Sequence, residues 1–268
     1  MKKYELVKDD VIEIDGFTLY RIRALKDFSD VNAGKLGGYI DCEEALCQDD
    51  DSWIYDDSRV YGNSKIFGHS EVFGHSVVYC NSKVYGHSKV FDHSAVYDNS
   101  DVFDHSVVYD NSDVYDNSRV FDNSRVYGNS KVYDYSVVYG NSRVFDNSKV
   151  FDNSEVYSHS EVFDNSRVYD NSKICNSSRI NKRAYIRNTT IQSKFDYIVL
   201  KNNWSSGRSF TYLFPTKKWV VGCFYGTSDE LIEKAYADGQ LIGDCYKASV
   251  DYIKALEAIR LENKKELA

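Results

Sequence analysis

The stretch VYDNSDVYDNSRVFDNSRVYGNS, residues 108–130, repeats one six-residue pattern almost four times. Extended in both directions, the pattern holds serine at every sixth position from Ser52 to Ser178, 22 times in succession. Two residues after each serine stands Val or Ile, from Ile54 to Ile180. The next position is Tyr or Phe in the 20 units from Tyr55 to Tyr169, before Cys175 and Asn181 break the rule. Asp or Gly follows in most units, and then Asn or His.

Side chains alternate between two faces along an extended strand. The residue between Ser and Val is charged in 17 of the 22 units, so that side faces water. Ser and Val then point the other way, into a core, and the aromatic ring shares the outer face with the charge. The remaining pair suits a corner, because Gly, Asn, Asp and His tolerate the left-handed backbone region best. A four-residue strand and a two-residue corner, strictly repeated, build a solenoid of short parallel strands.

The aliphatic-x-x-x-small-x spacing resembles the hexapeptide repeat of left-handed parallel β-helices, over about half of the chain. The resemblance implies three hexads per triangular coil of 18 residues, hence about seven coils. One departure stands out: an aromatic follows the aliphatic here, where that family carries a Gly, small or acidic residue. The expected fold is therefore mainly β: a left-handed parallel β-helix, residues 52–189, with an N-terminal β cap, residues 1–51, and a small C-terminal α+β domain, residues 190–268.

The flanks carry their own signals. VIEIDGFTLYRIRA predicts a hairpin turning at Asp15-Gly16, and GKLGGYI leads into the solenoid. FDYIVL, SFTYLF and KWVVGCFYG read as three strands. Thr227 with Glu230 forms a capping box opening a helix that Gly239 stops, and a second helix runs from about Cys245 to Lys264. The GKLGGYI entry, aromatic hexads and KNNWSSGRSF…WVVGCFYGT tail together resemble a group of bacterial and phage or prophage hexapeptide-repeat proteins. That resemblance points to a mobile-element protein and brings no catalytic residue with it.

A net charge of −8 argues against a general nucleic-acid or anionic-membrane binder. The Met-Lys-Lys start precedes no apolar run, and no run of about 18 apolar residues occurs, so a soluble cytoplasmic protein is expected. The six cysteines lack a pairing pattern and read as free thiols; CEEALC has no second Cys/His pair for zinc.

Folding the sequence by 18 places candidate groups in columns. All six histidines occupy the Asn corner position; His69, His87 and His105 share one column, His75 and His93 another. Left-handed β-helix proteins are often coenzyme A-dependent acyltransferases with a histidine base, so these histidines carry the catalytic alternative. Those enzymes build their cleft beside a loop that interrupts a coil, and the register here runs from 52 to 178 without insertion. The histidines are therefore expected to serve the turn, and no cofactor is expected.

Asp98, Asp116, Asp134, Asp152 and Asp170 stack along one corner, where five carboxylates would need cations or N–H donors. Turn capping is the reading favoured over a metal column. Lys131, Lys149 and Arg167 alternate with Tyr133, Phe151 and Tyr169, the arrangement of a single-stranded nucleic acid or nucleotide track; the acidic columns beside it disfavour that use.

The outer aromatics form three ladders, a larger apolar surface than a monomer ordinarily exposes. The Phe-richer one, with Phe73, Phe91, Tyr109, Tyr127, Phe145 and Phe163, is the expected docking face for a second copy or a protein partner. Trp204 and Arg208, flanking the Ser205-Ser206-Gly207 turn, form a second candidate hot spot, with a packed Trp anchoring the hairpin as the equal alternative. The functional expectation is thus a non-enzymatic, self-associating scaffold, phage-encoded and directed at a host component.

Overall fold

The computed structural model describes residues 2–204 and 207–266, with side chains as far as Glu262. Strand β1 (Tyr4–Ile14) turns at Asp15 and Gly16, both at positive φ, into the antiparallel β2 (Phe17–Ala24). Strand β3 (Leu36–Ile40) pairs antiparallel with β2 on one side and parallel with Arg59–Val60 on the other. It thereby converts a hairpin into the starting edge of a parallel sheet. Gly37 and Gly38 allow this approach: a Cβ on either would sit 2.6 Å from the Ile54 carbonyl oxygen or 2.4 Å from that of Ser58.

Among the described residues, 24 short strands follow, β4 (Trp53–Ile54) to β27 (Thr190–Ile191). Each pairs in parallel with the strand three further on, so one turn takes three strands and the chain makes eight turns. The register is regular; Val90, for example, stands beside Val72 on one side and Val108 on the other. The expected count of about seven turns is corrected to eight. Beyond Ser178 the pattern continues with Ala184 in the serine place and Ile186 in the valine place, then Thr189 and Ile191 after one corner residue is dropped. The paired part of most hexads is two residues, shorter than the four expected, because the corner residues leave the ladder.

Val and Ser are buried in every hexad, at most 3% exposed. The serine hydroxyl has a structural duty: its Oγ accepts the backbone N–H of the serine one turn later, as in Ser142 N to Ser124 Oγ, 3.0 Å. The hydroxyl thus satisfies a buried donor, which without a partner would cost about 1–3 kcal/mol. The other serine-to-serine bonds of this kind lie between 2.9 and 3.1 Å. Corner geometry follows the composition: at Asp98 and Asn99, φ is 53° and 61°, and most corners repeat such a left-handed pair.

Both ends of the prism are covered. Lys3 is 1% exposed; its Nζ donates to the carbonyls of Asp50 (2.9 Å) and Ser52 (2.8 Å), and burial lowers its pKa. Tyr4 and Phe28 pack edge-on to Trp53 above the first turn. At the other end an antiparallel sheet runs in the order β28 (Tyr197–Lys201), β29 (Ser209–Leu213), β30 (Lys218–Val221) and β31 (Phe224–Gly226). The stretch read as one strand, KWVVGCFYG, is two strands, because Gly222 at φ 57° turns the chain back on itself. Helices α1 (Ser228–Ala237) and α2 (Gln240–Glu266) complete the unit, with the Thr227–Glu230 capping box formed as expected and α2 starting five residues earlier than expected. Leu213 and Val220 of the sheet join the same buried cluster as the solenoid valines.

Candidate functional site

The three aromatic columns are continuous ring stacks. On the face that begins at Arg59–Val60, Tyr79 through Tyr169 stack at 4.8–5.0 Å with planes within 11°. On the face that begins at β4, Phe73, Phe91, Tyr109, Tyr127, Phe145 and Phe163 stack at 4.6–5.0 Å, and Tyr55 closes the column edge-on. The third face stacks Phe67 through Tyr157 in the same way. The strand spacing of about 4.8 Å sets this distance, so each ring hides its faces against its neighbours. Burial pushes the pKa of Tyr115 and Tyr169 up to about 12.

The ladder rings are half-buried, and none is among the large exposed hydrophobics. Stacking turns the ring faces onto their neighbours, so the ladders present ring edges to solvent. Two of the faces are partly occupied. The β1–β2 hairpin lays Phe17 against Tyr61 at 5.4 Å, beside Leu19, Val77 and Tyr79. Tyr55 donates to Asp30 and lies beneath Lys35.

The corner histidines all have φ between 60° and 65°. His69, His87 and His105 stack at 4.8 and 5.0 Å, and His75 and His93 at 5.2 Å. Ring nitrogens hold lone pairs in the ring plane, so parallel rings direct them side by side instead of onto one point. Among the described residues, no group of three His, Cys, Asp or Glu side chains is arranged to hold a metal ion.

The aspartate column sits at the corner as expected, each at φ 53–55°. Burial raises the pKa of Asp116, assisted by Asp134 and Asp98, and that of Asp152, assisted by Asp170 and Asp134. Turn capping by a corner aspartate is visible elsewhere: Asp56 and Asp164 accept the backbone N–H of the residue one turn later, Gly74 at 3.3 Å and Lys182 at 2.9 Å.

Lys131, Lys149 and Arg167 lie in adjacent strands on one face, as the 18-residue fold implies. Lys131 pairs with Asp113 at 2.8 Å and lies over Tyr115. The pattern then inverts in the next turn, where Tyr185 takes the charged column and Arg187 the aromatic one. Arg167 lies over Tyr185 at 5.5 Å, and Arg187 between Tyr169 and Tyr225 at 5.7 and 4.9 Å. This turn and the β30–β31 turn of the C-terminal unit enclose a groove of about 630 Å³. A second cleft, about 320 Å³, lies within the C-terminal unit between β30, β31 and the two helices.

Trp204 is part of the C-terminal core, edge-on to Phe210 and Tyr246 at 6.1 Å, which makes it an anchor of the unit. Arg208 is exposed and lines both clefts; Ser205 and Ser206 lie outside the described residues. Sequence reading missed the junction groove with Tyr185, Arg187 and Cys223, although the exchange at RAYIR would have shown had the register been carried past Ser178. All six cysteines are free thiols. No helix among the described residues is long and apolar enough to cross a membrane. No protein-family model and no curated protein sequence matches the chain.

Proposed function

We propose that the chain is a non-enzymatic interaction scaffold that binds a second copy of itself or a protein partner through a laddered face. The observation that supports this most is the uninterrupted stacking of Phe73, Phe91, Tyr109, Tyr127, Phe145 and Phe163, a rigid array whose side chains have little entropy left to lose on docking. This column carries four phenyl rings, more than either other face, and Val107 at its centre replaces the usual charge. Aromatic and Arg side chains with few carboxylates are the composition of interface cores; Arg125 and Arg143 adjoin here.

Left-handed coiling belongs to this reading, as does the kinship with hexapeptide-repeat proteins. The phage and prophage resemblance adds a direction: the partner is a host component of a cytoplasmic bacterial setting. Against an acyltransferase stand the unbroken register and the parallel corner imidazoles.

Light scattering with affinity purification from a bacterial host tests the proposal. The expected result is a defined oligomer or one stoichiometric protein, lost on Val107→Glu or Arg143→Glu, which alter the face without removing a ladder ring. A monodisperse monomer at millimolar concentration that recovers no protein would sink it.

A further inference from the structure

The junction groove has a composition unlike the rest of the solenoid. Three guanidiniums line it, Arg167, Arg187 and Arg208, against two carboxylates, Asp152 and Asp170, a balance of 3 − 2 = +1 in a chain of net charge −8. Arg187 gives its Nε–H to Asp170, and no other hydrogen bond of its guanidinium forms among the described residues. Arg167 is exposed and makes neither an ion pair nor a side-chain hydrogen bond among those residues; its contact is the ring of Tyr185. Both guanidiniums lie over aromatic rings, Arg167 over Tyr185 and Arg187 over Tyr169 and Tyr225. A guanidinium is a planar fork that can meet the oxygens of a phosphate two at a time.

The groove's other features favour more than a bare anion. Its volume, about 630 Å³, falls in the range of small-molecule sites, and it lies between two structural units, where such sites concentrate. Arginine and tyrosine side chains alternate along its walls, and both kinds of group can stack on a planar ring. Asp152 supplies an acceptor for hydroxyl or amino groups that inorganic phosphate lacks. Gly222, at φ 57°, stands on the opposite wall with Arg208 Nη1 3.2 Å from where a Cβ would lie.

The geometry points to a binding site for a nucleotide-sized phosphate ester bearing a planar ring, with Arg167 and Arg187 on the phosphate and Asp152 on the sugar or base. The site stands independently of the scaffold reading, since it uses neither the Phe-rich face nor self-association.

Calorimetric titration of the full chain with AMP and GMP, beside adenosine, ribose 5-phosphate and inorganic phosphate, tests it. Both nucleotides should bind at least tenfold more tightly than any fragment, and Arg167→Gln should weaken them tenfold or more. Arg187→Gln should do the same if circular dichroism shows it folded; Arg167→Gln breaks no ion pair and keeps the test decisive if it does not. Lys65→Gln, on another face, should change nothing. Absence of nucleotide binding at millimolar concentration overturns the proposal, as does binding indifferent to Arg167. Inorganic phosphate binding as tightly as AMP would also overturn it. So would a single-stranded 12-mer that binds while mononucleotides do not, which would assign the Lys131–Lys149–Arg167 column to nucleic acid.

Discussion

The solenoid and the C-terminal unit hold themselves together in opposite ways. In the solenoid, each residue meets its own kind one turn away: Val on Val, Ser on Ser, ring on ring. In the C-terminal unit the core is a single arrangement of unlike groups, with Phe210 against Trp219 at 5.5 Å, Tyr212 against Trp219 at 4.9 Å, and Trp204 against Tyr246. Loss of one group should therefore be local and repairable in the first region and far-reaching in the second. Repeat proteins behave as sums of nearest-neighbour terms, whereas a compact unit of this size unfolds as one.

Trp219 offers the sharpest way to break that comparison. It is fully buried and donates from Nε1 to Ser228 Oγ at 3.0 Å, tying the sheet to the start of α1. Trp219→Ala should cost about 3–5 kcal/mol. Hydrogen exchange should then show the C-terminal amides exposed and the central solenoid amides still protected. Loss of protection in both regions would mean that the two fold as one cooperative body.

The serine ladder sharpens the picture within the solenoid. Ser124→Ala strands the Ser142 N–H and should cost about 1–3 kcal/mol. Ser160→Ala should cost far less, because the Ser160 hydroxyl has no partner: the Ser178 N–H bonds instead to the Cys175 carbonyl, 3.1 Å away. Denaturant melts of the two variants measure the difference. Equal losses would show that the hydroxyl's volume matters and its hydrogen bond does not.

The aspartate corner gives the smallest effect. Asp116 and Asp152 have raised pKa values, through burial first and neighbouring carboxylates second. A carboxylate whose folded pKa lies above its unfolded value favours the fold at low pH and loses that contribution as pH rises through the folded value. Asp134→Asn, which removes the shared neighbour and keeps a residue that tolerates the corner, should stabilise by a few tenths of a kcal/mol at pH 7. Thermal melts should show the gain vanish near pH 3. A gain that persisted there would place its cause outside electrostatics.

The parts of the site that could be read in advance were those governed by period. Arithmetic in steps of six and eighteen assigns Ser and Val to the core, the rings to three columns and the histidines to corners, and the structure places them there. Trp204 was harder to read: a Trp beside an Arg in a loop gives no hint whether the ring faces solvent or the core, and only the positions of Phe210 and Tyr246 decide it. How far each ladder ring is covered was likewise not legible, since a residue list does not state that a ring at 4.9 Å covers the ring below.

What the sequence determined by itself is the repeat unit, and with it the parallel solenoid, because identical units must satisfy identical backbone groups in identical ways. The tertiary structure alone decided what happens where the repetition ends. The cover of Lys3 and Tyr4 and the groove between Arg167, Arg187 and Arg208 come from contacts between segments far apart in the chain. Their geometry depends on three-dimensional packing that no periodicity encodes.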